Sequence, residues 1–317
     1  MTLDLDPTLE VTDDYSQHPA SNESYCGFIA IVGRPNVGKS SLLNAILGKK
    51  VSITSFRPQT TRNQILGIKT THNTQVVYVD TPGIHLRAKK ALNKQMNKIA
   101  HQSLIDVNAI VFVIEALQWT EEDEHIVKSI QNATCPVIVA LNKIDLIEDK
   151  AQLLAFIQKI SQILPQAQII PLSARKRIQV SNLERLCHEH IPLSVFYFPE
   201  DQQVNHSEQF HIAEMVREKI MRLLAKEIPY SCTVQIEKLE HQENIIHAHA
   251  LIWVEREGQK RVVIGEKGAM LKDIGTQARE DLERYYGKKV CLKLWVKVNE
   301  SWSDNVQALQ SLGYAQV

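Results

Sequence analysis

Two successive patterns of apolar and polar positions run along this chain. From Phe28 to about Leu193, short apolar runs alternate with helical stretches. Phe28–Val32, Gln75–Val79, Ala109–Ile114, Val137–Leu141 and Gln168–Pro171 read as strands. Their near-continuous apolar character suits a sheet covered on both faces, so the first domain is expected to be α/β with a mainly parallel sheet. Phe196–Gln202, broken by proline, acids and glutamine, reads as a linker. A helix then runs from an N-cap at Ser207 to about Lys226, with Ile212, Met215, Ile220 and Leu223 among its apolar positions. Strands Thr233–Leu239 and Ile245–Val254 follow, then a helix to about Tyr286 with the stripe Leu271, Ile274, Ala278, Leu282 and Tyr285, and a last strand, Val290–Val298. The expected organisation is a flexible leader over 1–24, an α/β domain over 25–195, a linker over 196–206 and an α+β domain over 207–317.

Composition narrows this picture little. Lys+Arg and Asp+Glu both total 36, so net charge points to no partner. The five cysteines are scattered and lack any C-x-x-C, which argues against a disulfide framework or a zinc site. The pairs His188/His190 and His247/His249 are read as surface histidines rather than metal ligands. No apolar stretch is long enough to span a membrane, and no signal peptide is visible. The leader carries six acids and neither lysine nor arginine.

Chemistry enters at the strand ends, where ligands collect in such sheets. Gly33-Arg34-Pro35-Asn36-Val37-Gly38-Lys39-Ser40 reads G-x-x-x-x-G-K-S between a strand and a helix, the phosphate-binding P-loop. Its backbone N–H groups would face phosphates, Lys39 would reach the outer ones and Ser40 would ligate magnesium. Asp80-Thr81-Pro82-Gly83 places a carboxylate for magnesium, through water, and a Gly83 N–H for the terminal phosphate. Asn142-Lys143-Ile144-Asp145 offers the Asp145 carboxylate to the N1–H and N2–H₂ donors of guanine, with Asn142 as a loop brace and the Lys143 stem along the base. Ser173-Ala174-Arg175 offers the Ala174 N–H to guanine O6. Within Pro58-Gln59-Thr60-Thr61-Arg62, Thr61 is assigned to magnesium when the terminal phosphate is present, with Thr60 as the alternative. D-x-x-G, N-K-x-D and S-A are each weak alone; after the P-loop and in this order, they specify a guanine nucleotide site. They also argue against a metabolite phosphotransferase, which has no use for a guanine-reading loop.

In the second domain, Val262-Val263-Ile264 leads into Gly265-Glu266-Lys267-Gly268, a G-x-x-G at the start of an amphipathic helix. KH domains use such a loop to clamp the backbone of about four nucleotides. Between 256 and 297 stand eleven basic and six acidic residues in a chain that is neutral overall. Gly265, Glu266, Lys267, Gly268 and Lys272 are therefore the candidate RNA contacts, although the Glu266 carboxylate opposes phosphate. Lys289, Lys293, Trp295 and Lys297 share one face of the last strand, which reads equally as an ordinary solvated face.

The forms G-R-P-N-V-G-K-S and P-Q-T-T-R, followed by a bacterial-type (type II) KH pattern and the ending Leu294–Val298, Ser301-Trp302-Ser303 and Leu312-Gly313-Tyr314, resemble the Era family over most of the chain. Phe56, where a basic residue is expected, and Ser41, where threonine is common, depart from that pattern. The resemblance implies a GTP-hydrolysing switch using Lys39, Thr61 and Gly83, with Ser41 and Arg175 also beside the nucleotide. It implies GTP/GDP and Mg²⁺ as ligands, and the 3′ region of 16S rRNA and the 30S subunit as partners. It further implies a cytoplasmic monomer, leaving open a peripheral association with the inner membrane. Asn36 stands where related GTPases hold K⁺ beside the phosphates. Ile84 occupies the place where Ras-like switches carry a water-orienting glutamine.

Overall fold

The computed structural model describes residues 23–57, 59–83, 91–131, 133–225, 227–300, 302–305, 307, 309, 312 and 314. The leader up to residue 22, Pro58 and Ile84 lie outside the described residues. Among the described residues, the first domain is a six-stranded sheet of β1 Tyr25–Val32, β2 Ile65–Thr71, β3 Thr74–Asp80, β4 Ala109–Glu115, β5 Val137–Asn142 and β6 Gln168–Pro171, ordered β2-β3-β1-β4-β5-β6. The pairings β1–β3, β1–β4, β4–β5 and β5–β6 are parallel, and β2 pairs antiparallel with β3. Helices α1 Lys39–Leu47, α2 Ala91–Gln102, α3 Glu121–Ile130, α4 Lys150–Ile163 and α5 Val180–His188 cover its faces. Two apolar cores result: one holds Ile29, Ile31, Leu42 and Val111, the other Val32, Phe112, Ile126 and Val139. The neighbours of β1 follow it by different routes, so its C-terminal end is the topological switch point, and the P-loop starts there.

Strand β2 is absent from the expected set. It forms a hairpin with β3 through His72 and Asn73 and sits at the sheet edge, where no continuous apolar run is required. The linker covers that edge. Ile68 N–H donates to Gln203 O at 2.8 Å, and Leu66 N–H to Asn205 Oδ1 at 3.1 Å. This covering satisfies groups that would otherwise invite another strand.

The second domain runs α6 Glu208–Leu223, β7 Thr233–Gln242, β8 Ile245–Val254, α7 Glu257–Ile264, α8 Ala269–Tyr286 and β9 Lys289–Val298. Its sheet order is β7-β8-β9, with β7–β8 antiparallel and β8–β9 parallel. Ser207 Oγ caps α6 by accepting from Phe210 N–H. Helix α7 corrects the sequence reading, in which Val262-Val263-Ile264 carried no helix. Its β-branched residues have low helix propensity, but Val263 is buried in the core with Val216, Ile220, Ile274 and Ala278, and that packing prevails. The G-x-x-G thus joins two helices. Ile53 of the first domain inserts among Ile212, Met215 and Leu282 of the second, so the domains share a small core.

Candidate functional site

The P-loop closes over the N-terminus of α1 because its backbone turns where side chains cannot follow. Gly38 has φ 104°, and a Cβ there would stand 2.2 Å from Asn142 Nδ2. Lys39 is buried, and its ammonium donates to Gly33 O and Arg34 O at 2.9 Å each. Burial pushes its pKa down to about 8, against the attraction of Asp80. Burial likewise raises the Asp80 carboxyl, which Lys39, Ser40 and Ser52 pull back. A bound polyphosphate would restore full charge to Lys39.

Three oxygens converge beside it. Ser40 Oγ donates to Asp80 Oδ2 at 2.8 Å and lies 2.8 Å from Thr61 Oγ1. Thr60 points elsewhere, donating to Arg57 O at 2.7 Å, so Thr61 is the threonine that joins the cluster. Asp80 Oδ1 is buried with no hydrogen-bond partner among the described residues. An orphaned carboxylate oxygen beside two hydroxyls is a donor set that fits a hard divalent cation.

At the far end of the same cleft, Asn142 links three loops. Its Nδ2 donates to Val37 O at 2.7 Å, and its Oδ1 accepts from Ala174 N–H at 2.9 Å. Asn142 thereby ties the P-loop to the loop after β6. The Ala174 N–H, expected to face guanine O6, donates here to the Asn142 amide oxygen. The reason is burial: an unpaired buried N–H is costly, and the Asn142 amide is at hand. Asp145 Oδ1 accepts from Ser173 Oγ at 2.5 Å. Lys143, held at φ 69°, donates to Glu115 Oε2 at 2.7 Å.

The cleft has a volume of about 780 Å³. Asn36, Gly38, Lys39, Ser40 and Ser41 line one side; Thr61 and Gly83 line another; Asn142, Lys143, Asp145, Ala174 and Arg175 line the far end. Gly33, Val37, Asp80 and Ser173 stand behind that surface and act through the bonds above. Ser52, which donates to Asp80 Oδ2 at 3.0 Å, and Glu115, which also accepts from Arg34, carry no motif. Glu115 could have been suspected from its place at the C-terminal end of β4; Ser52 leaves no signal in the sequence.

In the second domain, Gly265 has φ 72°, and a Cβ there would lie 2.7 Å from Met270 Cβ. Gly268, with φ 80°, caps α8 in the left-handed conformation. Glu266 and Lys267 are exposed at the loop tip. A groove of about 400 Å³ runs from Gly268 past Lys272 and Gly275 to Leu294 of β9. The loop, Lys272 and the groove therefore lie together.

Both halves match known proteins. Residues 28–143 match the family model described as 50S ribosome-binding GTPase, and 227–303 the one described as KH domain. GTPase Era of Pseudomonas aeruginosa is 51% identical over 307 residues, 97% of this chain and 100% of that protein. The chain belongs to the Era family of GTPases. GTPase Era of Marinobacter nauticus is 53% identical over 93% of this chain and 97% of its own. Among solved structures, an Aquifex aeolicus Era variant bound to GDP·AlF4⁻ superposes with a TM-score of 0.87 at 39% identity, over 92% of this chain and 100% of that one. An Era complex with MgGDPNP and nucleotides 1506–1542 of 16S ribosomal RNA matches with the same TM-score, identity and coverage. As an Era-family protein, the chain is a GTPase, and its fold is a P-loop domain followed by a KH domain.

Proposed function

We propose that this chain hydrolyses GTP to GDP and phosphate in the cleft, and that nucleotide state governs binding of 16S rRNA by the KH domain during assembly of the 30S subunit. The observation that carries the reading is one cleft holding both the Ser40–Thr61–Asp80 cluster and the Ser173-braced Asp145 carboxylate, in a chain whose second domain carries a G-x-x-G loop. The rRNA complex of its relative supports the partner.

Each residue then has a task. Backbone N–H groups of the P-loop, Pro35 excepted, cradle the phosphates, and Lys39 neutralises the outer ones. Ser40, Thr61 and, through water, Asp80 would hold magnesium, which when bound withdraws charge from the phosphate oxygens. The Gly83 N–H faces the terminal phosphate. Asp145 accepts from guanine, Lys143 lies along the base, and Asn142 with Ala174 holds the loops that frame it. Arg175 borders the base end of the cleft. Asn36 would hold K⁺. On the RNA side, Gly265 and Gly268 let phosphate approach, Lys267 and Lys272 supply charge, and Glu266 flanks the loop.

No helix among the described residues is long and apolar enough to cross a membrane. A cytoplasmic monomer belongs to the same proposal; sedimentation and cell fractionation test it, the latter also reading any peripheral membrane contact. The function itself is tested by phosphate release from GTP and from ATP, with binding of a labelled 16S rRNA 3′ fragment measured beside it. Release from GTP alone, and binding of that fragment, are expected. Equal turnover of ATP, or no preference for the fragment over an unrelated strand, would overturn the proposal.

A further inference from the structure

Arg62 follows Thr61 directly, and its guanidinium is buried inside the second domain. Nη1 donates to Cys232 O at 2.8 Å; Nη2 donates to Tyr230 O at 3.1 Å and Pro229 O at 3.2 Å. The cation lies 5.8 Å from the Trp302 ring and 6.0 Å from the Tyr314 ring, within cation–π range. On the other side of Thr61, Thr60 O accepts from the buried Arg217 of α6. Thr61 is therefore flanked on both sides by residues that the KH domain holds.

The same rings also pack against α2 of the first domain. Trp302, Leu309 and Tyr314 form one core with Leu92 and Met96 of α2, the helix downstream of Gly83. Asp304 Oδ1 accepts from Ala91 N–H, at the start of that helix, at 3.1 Å. The contacts also run outward. Trp302 Nε1 donates to Ser231 O at 2.9 Å, and Ser231 Oγ accepts from Gln259 Nε2 at 2.8 Å. Gln259 lies in α7, whose last residue, Ile264, adjoins Gly265 of the G-x-x-G loop.

We infer that Arg62, seated between the 229–232 carbonyls and the Trp302–Tyr314 rings, is a positioning residue that couples Thr61 to the RNA-clamping loop. The inference rests on the reading that Thr61 meets magnesium only when the terminal phosphate is bound. Consecutive Cα atoms are only about 3.8 Å apart, so Thr61 cannot leave the cluster without loading the Arg62 side chain. That side chain cannot slip gradually, because a buried guanidinium parted from its carbonyls is strongly unfavourable. The junction therefore favours discrete arrangements, as a coupling element requires. Linkage then demands reciprocity: what the terminal phosphate does to RNA affinity, RNA does to affinity for the triphosphate.

The test uses the full chain with magnesium, GDP, a non-hydrolysable GTP analogue and a labelled 16S rRNA 3′ fragment. Arg62→Ala is expected to weaken the GTP analogue roughly five- to fiftyfold while GDP affinity stays within about twofold. The ratio of RNA affinities in the two nucleotide states, away from one in the parent, is expected to fall toward one. A merely structural role would lower GDP and analogue affinity together. Arg62→Lys keeps the buried charge but lacks the fork that reaches several carbonyls, and it serves if the alanine variant does not fold; the same selective loss is expected. Thr61→Ala separates the two readings. Selective analogue loss in Thr61→Ala, with parental behaviour in a folded Arg62 variant, overturns the coupling alone. No selective loss in Thr61→Ala overturns the Thr61 reading and the coupling with it. A parental RNA affinity ratio of one would also overturn the coupling.

Discussion

Ser173 Oγ donates to Asp145 Oδ1 at 2.5 Å, so the loop after β6 aims the carboxylate that ends the loop after β5. One oxygen is thereby fixed in direction, and the carboxylate presents acceptors to the cleft. Guanine offers two donors there, whereas adenine offers an acceptor at N1. Asp145→Asn is expected to lose about 2–5 kcal/mol of GTP affinity, the range for a charged, buried hydrogen-bonded pair. Xanthine nucleotide, with an acceptor at C2, should bind the variant better than GTP does. Competition titration with labelled GDP measures both, and parental GTP affinity in the variant would remove Asp145 from base recognition.

The loop at Gly268 yields a prediction of separation. A Cβ at Gly268 meets nothing within 4 Å, but φ is 80°, so an aspartate is strained by about 1 kcal/mol and otherwise accommodated. Its charge would stand where phosphate must approach. Gly268→Asp should keep parental GTP affinity and lose RNA affinity by an amount on the order of 2–3 kcal/mol. Parental RNA affinity should fall as salt rises, through counterion release. Filter binding at two salt concentrations reads both; undiminished binding by the variant would place the RNA contacts elsewhere.

Asn36, exposed at the cleft wall with φ 66°, is the residue to test for a monovalent cation. A potassium ion there would add positive charge where the transition state gains negative charge. GTP hydrolysis is expected to be roughly tenfold or more faster in potassium than in sodium at equal ionic strength, a smaller gain than that from an arginine finger. Asn36→Ala should abolish the difference. Equal rates in the two salts would rule out the ion.

The seam between the domains should respond to acid in two stages. His211 is buried against Tyr285, with ring centroids 4.2 Å apart. Burial pushes its pKa from 6.5 to about 3, and His206, Lys49 and Lys50 push the same way. The unfolded chain thus binds a proton that the folded chain refuses, so stability falls as pH drops from 6.5 toward 3. The slope is at most about 1.4 kcal/mol per pH unit. Asp281 acts later. Burial would raise its carboxyl, but hydrogen bonds and charge from Lys219 and Lys50 outweigh that and hold it at about 2 rather than 3.8. Its contribution is complete above pH 3.8 and lost as pH falls through about 2. Denaturant melts across pH should show both stages, and His211→Phe should flatten the first alone.

The sequence by itself determined the two domain types, their order and most of the residues that line the candidate nucleotide cleft. Phosphate loops and base-reading loops depend on a few residues at short range, so glycine spacing and Asn142-Lys143-Ile144-Asp145 are legible without coordinates. Strand β2 and helix α7 were not legible, because their conformations rest on an edge pairing and on a buried Val263 rather than on local pattern. The partner of the Ala174 N–H was settled only when Asn142 was brought beside it. Thr61 was preferred to Thr60 from the sequence, but its contact with Ser40, 21 residues away, is a product of the fold. The Arg62 junction is the extreme case. Its partner Cys232 lies 170 residues along the chain, and a charged side chain in a polar loop gives no sign that it will be buried. Tertiary structure decided it, because only a folded second domain supplies the carbonyls and rings that stabilise a guanidinium out of water.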